Sequence, residues 1–380
     1  MLARDHMTAD AAPTQSFAHR GRFFNVLGLA AKNAALTVLT LTLYRFWART
    51  AMRRRLWSRT WIMGDALEYT GTAWELFRGF LIALPTFFLP AMFVLYIAPI
   101  AMDRSTAGWL LLGFYVVAVP LIAAGRYLMR RYQLSRTRWR GIRLGLGGSA
   151  IAFAYASSGW TILQILSLGW YTPVSRINRA VLIWRHTRFG DQPFEVVKDG
   201  KPAQHGLWWP FALGWFGCFA AALAAFLTMI AAIAALGLSG SFDTDAAAPV
   251  SDVIVWATLG AGVASLLVFF VVLAAFWTPY NAAAMNRVAA LIQLDGARFR
   301  LRVNTLPLFF IALAGWGIIV CSLGLLTPLA GFLQVRYVMN RLEMIGQPRF
   351  AEIGQAVVGA QKAGETLGEA FDLDMGVGVI

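Results

Sequence analysis

Seven stretches of this chain are predominantly apolar: roughly residues 23–46, 76–101, 108–126, 149–171, 207–238, 252–279 and 306–332. As helices rising about 1.5 Å per residue, they approach or exceed the ~30 Å hydrocarbon core of a bilayer. The stretches between them divide sharply by charge. Residues 44–75 carry six arginines, 126–148 carry seven, 172–206 carry six lysines or arginines, and 280–305 carry four. The connections 102–107 and 239–251 share one basic residue and carry Asp103, Asp243 and Asp245.

Basic loops stay on the cytoplasmic side of a membrane. Seven single crossings would place 172–206 and 280–305 on the opposite side, against that rule. The conflict disappears if 23–46, 149–171 and 306–332 are not single crossings. Each is interrupted by residues that suit a helix break: Lys32-Asn33, Ser157-Ser158-Gly159 and Gly315-Trp316-Gly317. The pattern thus predicts four full spans in two hairpins plus three re-entrant segments. Seven ordinary spans that break the charge rule are the alternative.

The same three segments share a register. One constant offset places Leu39 on Leu166, Tyr44 on Tyr171, Arg49 on Arg176, Trp57 on Trp184 and Thr60 on Thr187; one residue of slippage then brings Asp65 onto Asp191. A second offset places Ser167-Leu168-Gly169 on Ser322-Leu323-Gly324 and Thr172-Pro173 on Thr327-Pro328. The expected fold is therefore an all-α membrane bundle of three internal repeats with broken apolar segments, plus a small cytoplasmic β-element. Alternating "DGARFRLRV" (295–303) and "RGIRLGL" (140–146) supply that element, with "ALEYTGT" and "PFEVVKDG" also strand-like. Residues 45–59 read as a basic interfacial helix.

The organisation follows: a polar N-terminus (1–16), a first repeat unit (17–75), a hairpin (76–129), a second unit (130–206), a second hairpin (207–279), a third unit (280–350) and a partly ordered acidic tail (351–380).

The stretches "LTLYRFWARTAMRRRLWSRTWIMGDALEYTGT", "YQLSRTRWRGIRLGLGGSA", "LGWYTPVSRINRAVLIWRHTRFGDQPF" and "GEAFDLDMG" resemble the YjgN family of bacterial inner-membrane proteins, over nearly the whole chain. The resemblance implies a multi-pass protein of the bacterial inner membrane, here with its C-terminus cytoplasmic. It carries no substrate or active site. The third junction departs from the pattern, with Leu326 and Met339 where Tyr and Trp stand in the others.

Composition agrees with a membrane location: 58% of the 380 residues are hydrophobic and 14% charged. The net charge of +14 sits beside apolar runs, which points to anionic headgroups as partners and away from nucleic acid. Residues 1–16 lack the apolar core of a signal peptide. Cys218 and Cys321 lie inside apolar runs, which excludes a disulfide framework. No P-loop, HExxH, GxSxG or Cys-His cluster is present, so neither enzyme activity, nor a cofactor, nor a metal is expected.

Candidate intramembrane positions are Lys32, Asn33, Ser157, Ser158, Gly159, Gly315 and Gly317. Lys32 is either functional, because burying a charge costs several kcal/mol, or simply snorkels to the surface. Arg53, Arg54, Arg55, Arg130, Arg131, Arg136, Arg138 and Arg140 are candidates to grip lipid phosphates, against the simpler role of fixing topology. Tyr44, Trp57, Thr60, Asp65, Tyr171, Trp184, Thr187 and Asp191 are the junction anchors, with both aspartates read as ion pairs or turn caps. The leading expectation is a transporter or channel-like conduit with a site formed by the broken segments; the alternative is a non-transporting scaffold or anionic-lipid-interacting protein acting through its basic cytoplasmic face. A lipid-modifying enzyme ranks below both.

Overall fold

The computed structural model describes residues 14–197, 200–238 and 252–355. The chain begins β1 (Thr14–His19), α1 (Phe23–Leu39), α2 (Arg45–Trp57), β2 (Thr60–Ile62), β3 (Asp65–Ala66) and β4 (Glu68–Tyr69). Then come α3 (Ala73–Ala101), α4 (Arg104–Ser135), β5 (Thr137–Trp139), β6 (Ile142–Leu146), α5 (Ala150–Leu166), α6 (Thr172–His186), β7 (Thr187–Phe189) and β8 (Gln192–Val196). It ends with α7 (Trp208–Leu238), α8 (Asp252–Ala290), β9 (Ile292–Leu294), β10 (Ala297–Leu301), α9 (Thr305–Cys321), α10 (Thr327–Met339) and β11 (Leu342–Ile345).

Among the described residues, four helices (α3, α4, α7 and α8) are long and apolar enough to cross a membrane. They mark a membrane protein. Pro85, Pro90 and Pro99 remove amide donors from α3, which widens into π-turns over Leu84–Phe88 and Phe93–Ile97. Helices α7 and α8 approach closely because Gly217 leaves no room for a Cβ beside Phe276.

The remaining helices form three hairpins: α1–α2, α5–α6 and α9–α10. The first helix of each has 17 residues. All three turn by the same means. The amides of Thr42, Gly169 and Gly324 each donate to a carbonyl five residues back, at 2.7 Å. The residue before each of these has positive φ, at Leu41, Leu168 and Leu323. The hydroxyls of Thr40, Ser167 and Ser322 then accept from the amides of Tyr44, Tyr171 and Leu326 at 2.9, 2.9 and 3.0 Å. A strand enters and a strand leaves each hairpin, and the two pair antiparallel: β1 with β2, β6 with β7, β10 with β11.

These strands and five others form one antiparallel sheet in the order β3-β2-β1-β11-β10-β9-β8-β7-β6-β5-β4. Its two outermost strands are joined by Leu67 alone, whose amide donates to Thr60 O at 2.9 Å. The sheet is therefore a nearly closed barrel. Met63-Gly64, Arg140-Gly141 and Asp295-Gly296 all take positive φ at its two-residue turns, the geometry that matches strand twist. Alternation sets its faces: along β10, Ala297 and Leu301 are buried while Arg298 and Arg300 are exposed.

Two expectations are overturned. The fold is not all-α with a small β-element, because the sheet has eleven strands and draws on the chain from Thr14 to Ile345. Closure leaves few unpaired backbone edges, which strands of two to six residues could not achieve separately. Nor are the apolar segments broken where expected. Helices run unbroken through Lys32-Asn33, Ser157-Gly159 and Gly315-Gly317, and the chain reverses later, at 40–44, 167–171 and 322–326. The polar N-terminus also contributes β1, while most of the acidic tail and the 239–251 connection lie outside the described residues.

Candidate functional site: an arginine-lined cavity over an apolar lumen

The positions singled out in the apolar segments do not converge. Helix α1 packs on α2 and α10, α5 on α4 and α6, and α9 on α8 and α10. Lys32 is exposed, and Gly159 and Gly317 face open space. The others join each helix to its own partner. Asn33 Nδ2 donates to Ala48 O at 3.4 Å. Ser157 Oγ accepts from Arg179 Nε at 3.0 Å. A Cβ at Gly315 would lie 3.3 Å from that of Ala330. Ser158 is half-buried, and its hydroxyl has no partner among the described residues.

Four of the eight candidate arginines are tied down near the sheet. Arg54 donates to Gly71 O at 2.9 Å, and Arg131 donates to the carbonyls of Gly147 and Gly148. Arg136 pairs with Glu75 at 2.7 Å, and Tyr132 OH donates to the same carboxylate. Arg140 pairs with Asp65 at 2.6 Å. Arg53 is buried, whereas Arg55 and Arg138 are half-buried.

The anchors divide between the strands and the turns. Thr60 and Thr187 are buried, with their hydroxyls donated to Leu56 O and Ile183 O. Trp57 Nε1 donates to Thr137 Oγ1 at 3.0 Å, and Trp184 packs on Phe194. Tyr44 stacks on Trp47, and Tyr171 is half-buried at its turn. The Asp191 amide donates to Gly354 O at 3.1 Å.

Only Arg130 and Trp184 of these residues reach a chamber with a charged lining. It is a cavity of about 390 Å³ between α4, α5, α6 and α8, lined by Arg126, Arg130, Gln133, Gln164, Thr172, Arg176, Arg179 and Trp184 with apolar neighbours. Its charged lining is entirely arginine. Arg176 donates to Asn281 Oδ1 at 2.8 Å and lies over the Tyr280 ring. Arg179 reaches Ser157, Thr161 and Gln164, all neutral. Burial, and then the neighbouring Arg126 charge, pull the Arg179 pKa down. Arg126 has no hydrogen-bond or ion-pair partner among the described residues. The partners of Arg176 and Arg179 are neutral, so a bound anion would offset desolvation that these acceptors compensate only in part.

Only a weak sign of this site is legible from residue spacing. Arg176 and Arg179 lie three apart on α6, hence on one face. Arg126 ends an apolar run and reads as a topology signal.

Beneath the chamber lies the barrel lumen, an apolar cavity of about 250 Å³. Arg130, Gln133, Ile183, Trp184 and Val288 line both. At the other end, residues 346–355 lie across the barrel mouth. Phe350 inserts against Trp139 at 4.9 Å, and Arg349 N donates to Asp295 Oδ2 at 2.8 Å.

His19 closes a separate junction. Thr60 spends its only proton on Leu56 O, so it accepts from His19 Nδ1 at 3.0 Å. The bare Nε2 is then buried near the Phe332 ring. Burial, and secondarily Arg336, hold the His19 pKa down to about 4.

No group of three or more His, Cys, Asp or Glu side chains able to hold a metal occurs among the described residues. Residues 14–373 match a family described as a bacterial protein of unknown function, DUF898. The chain belongs to this family. No curated protein and no solved structure is similar to it. The match bears out the resemblance read from the sequence. The DUF898 family brings no activity with it, so function rests on the chamber and the lumen.

Proposed function

We propose that this DUF898 protein binds an anionic lipid headgroup in the arginine chamber at the sheet-side ends of its spans. The observation that carries this is the convergence of Arg126, Arg130, Arg176 and Arg179 on one cavity whose lining contains no acid. Guanidinium forks match phosphate oxygens in geometry and charge.

The basic loops favour a placement with the barrel in the bacterial cytoplasm and the described end of the chain on that side. In this placement the three hairpins are copies of one re-entrant unit that enters the inner membrane and returns. Their tips support it: Leu41, Leu168 and Leu323 are 86%, 78% and 92% exposed, which suits lipid and not water. Single cysteines at Arg188, Arg300 and Ser105, with Cys218 and Cys321 changed to Ser, test the placement. An impermeant thiol reagent on intact cells should label only position 105; labelling at 188 or 300 reverses it.

The transporter reading draws on the wall shared by chamber and lumen. A hydrated small ion would lose its water in that lumen, so lipid interaction is favoured. The deciding assay is lipid retention by the purified protein, read by native mass spectrometry. Arg126→Gln and Arg179→Gln should lose phosphatidylglycerol selectivity over phosphatidylcholine, and Arg188→Gln on the outer sheet should keep it. Unchanged selectivity in both chamber variants sinks the proposal.

A further inference from the structure

We propose that chamber and lumen form one bipartite site for a single-chain anionic amphiphile, its head among the arginines and its chain in the barrel. The inference rests on the anion reading above and adds the identity of the tail.

Away from the wall it shares with the chamber, the lumen asks for no polar ligand. The hydroxyls of Thr60, Thr137 and Thr187 are donated to Leu56 O, Gln133 O and Ile183 O. Trp57 Nε1 is spent on Thr137 Oγ1, and Trp139 Nε1 on Ile62 O at 3.3 Å. With these polar atoms satisfied internally, water gains few bonds there, and such a cavity stays dry or takes an apolar guest. The approach from the chamber passes Arg130, Gln133, Ile183, Trp184 and Val288. An amphiphile entering there leaves its charge at Arg126, Arg176 and Arg179. Phe350 closes the far end, so it limits chain length. The lumen, about 250 Å³, holds one alkyl chain, so a diacyl lipid would have to leave its second chain outside the barrel.

The test uses full-length protein in phosphatidylcholine nanodiscs and calorimetric titration with inorganic phosphate, ethyl phosphate and a series of longer alkyl phosphates. The long-chain compounds should bind at least about ten-fold more tightly than ethyl phosphate, since each buried methylene adds affinity. Val335→Trp, which fills the lumen, should remove that gain and leave ethyl phosphate binding intact. Phe350→Ala should move the optimum to longer chains. Ethyl and long-chain phosphates binding alike to the native protein overturn the amphiphile while the anion reading stands. A chain-length gain unchanged in both variants assigns it to the surrounding bilayer and overturns it equally. If no phosphate binds at all, both readings fall.

Discussion

The second and third helical hairpins share a turn and a 17-residue first helix, and each rises between two paired strands, yet their interiors differ. Between α5 and α6, Arg179 is held by Ser157, Thr161 and Gln164. Between α9 and α10 the contact is Gly315 on Ala330, with no charge in it. The first hairpin is intermediate, with Asn33 on a backbone carbonyl. The hairpin is thus a general structural device, and only the second copy contributes arginines to the chamber. The turn must therefore depend on what the three share, and the proposed anion binding on what the second adds to α4 and α8.

The comparison breaks most visibly at Gly315. Gly315→Leu forces side-chain atoms into Ala330 and should cost about 1–3 kcal/mol, seen as a lower thermal midpoint in detergent with lipid selectivity retained by the folded fraction. Ser157→Ala in the second hairpin should cost about 1–2 kcal/mol, because Arg179 loses an acceptor, and unlike Gly315→Leu it should also weaken anion binding.

A pH-dependent effect is expected as well. Neutral native His19 has its pKa near 4 against 6.5 when unfolded, so its contribution to stability is complete above pH 6.5. It fades as pH falls from 6.5 toward 4, because only the unfolded chain takes up the proton. His19→Gln should flatten the midpoint-versus-pH curve in that window; an unchanged slope removes His19 as the cause. Least of all, Asp65→Asn should shift the midpoint by less than about 0.5 kcal/mol, since the pair with Arg140 is nearly half exposed. A larger loss would mean that the seam between β3 and β4 depends on this pair.

Much of the local structure was legible. "DGARFRLRV" became β10 because its period of two places Ala297 and Leu301 inside and the arginines outside. The register marked Tyr44, Tyr171 and Leu326 as equivalent positions, and each ends a reversal of the chain, although the breaks were expected earlier. Closure was not legible, because β1 pairs with β11 from the other end of the chain and several strands have only two or three residues. Such pieces carry no measurable periodicity.

The break positions were misread for a physical reason. Small and polar residues within an apolar helix serve close packing as readily as bending, as Gly315 and Asn33 do. The true reversals carry their own mark: a Ser or Thr hydroxyl that caps the next helix, and a residue able to take positive φ. The arginine chamber escaped because its members lie on α4 and α6, and only the fold brings them together.

The hairpin height has a mechanical consequence. In the proposed placement, a 17-residue helix reaches only about 25 Å, short of the ~30 Å bilayer core, whereas α3 and α4 with 29 and 32 residues exceed it. Lipids around the hairpin tips would have to shorten or tilt while those beside the long helices do not. Such a body imposes a thickness gradient on its surroundings. It would gather where the bilayer is already thin or curved, and it would loosen the leaflet that supplies its ligand.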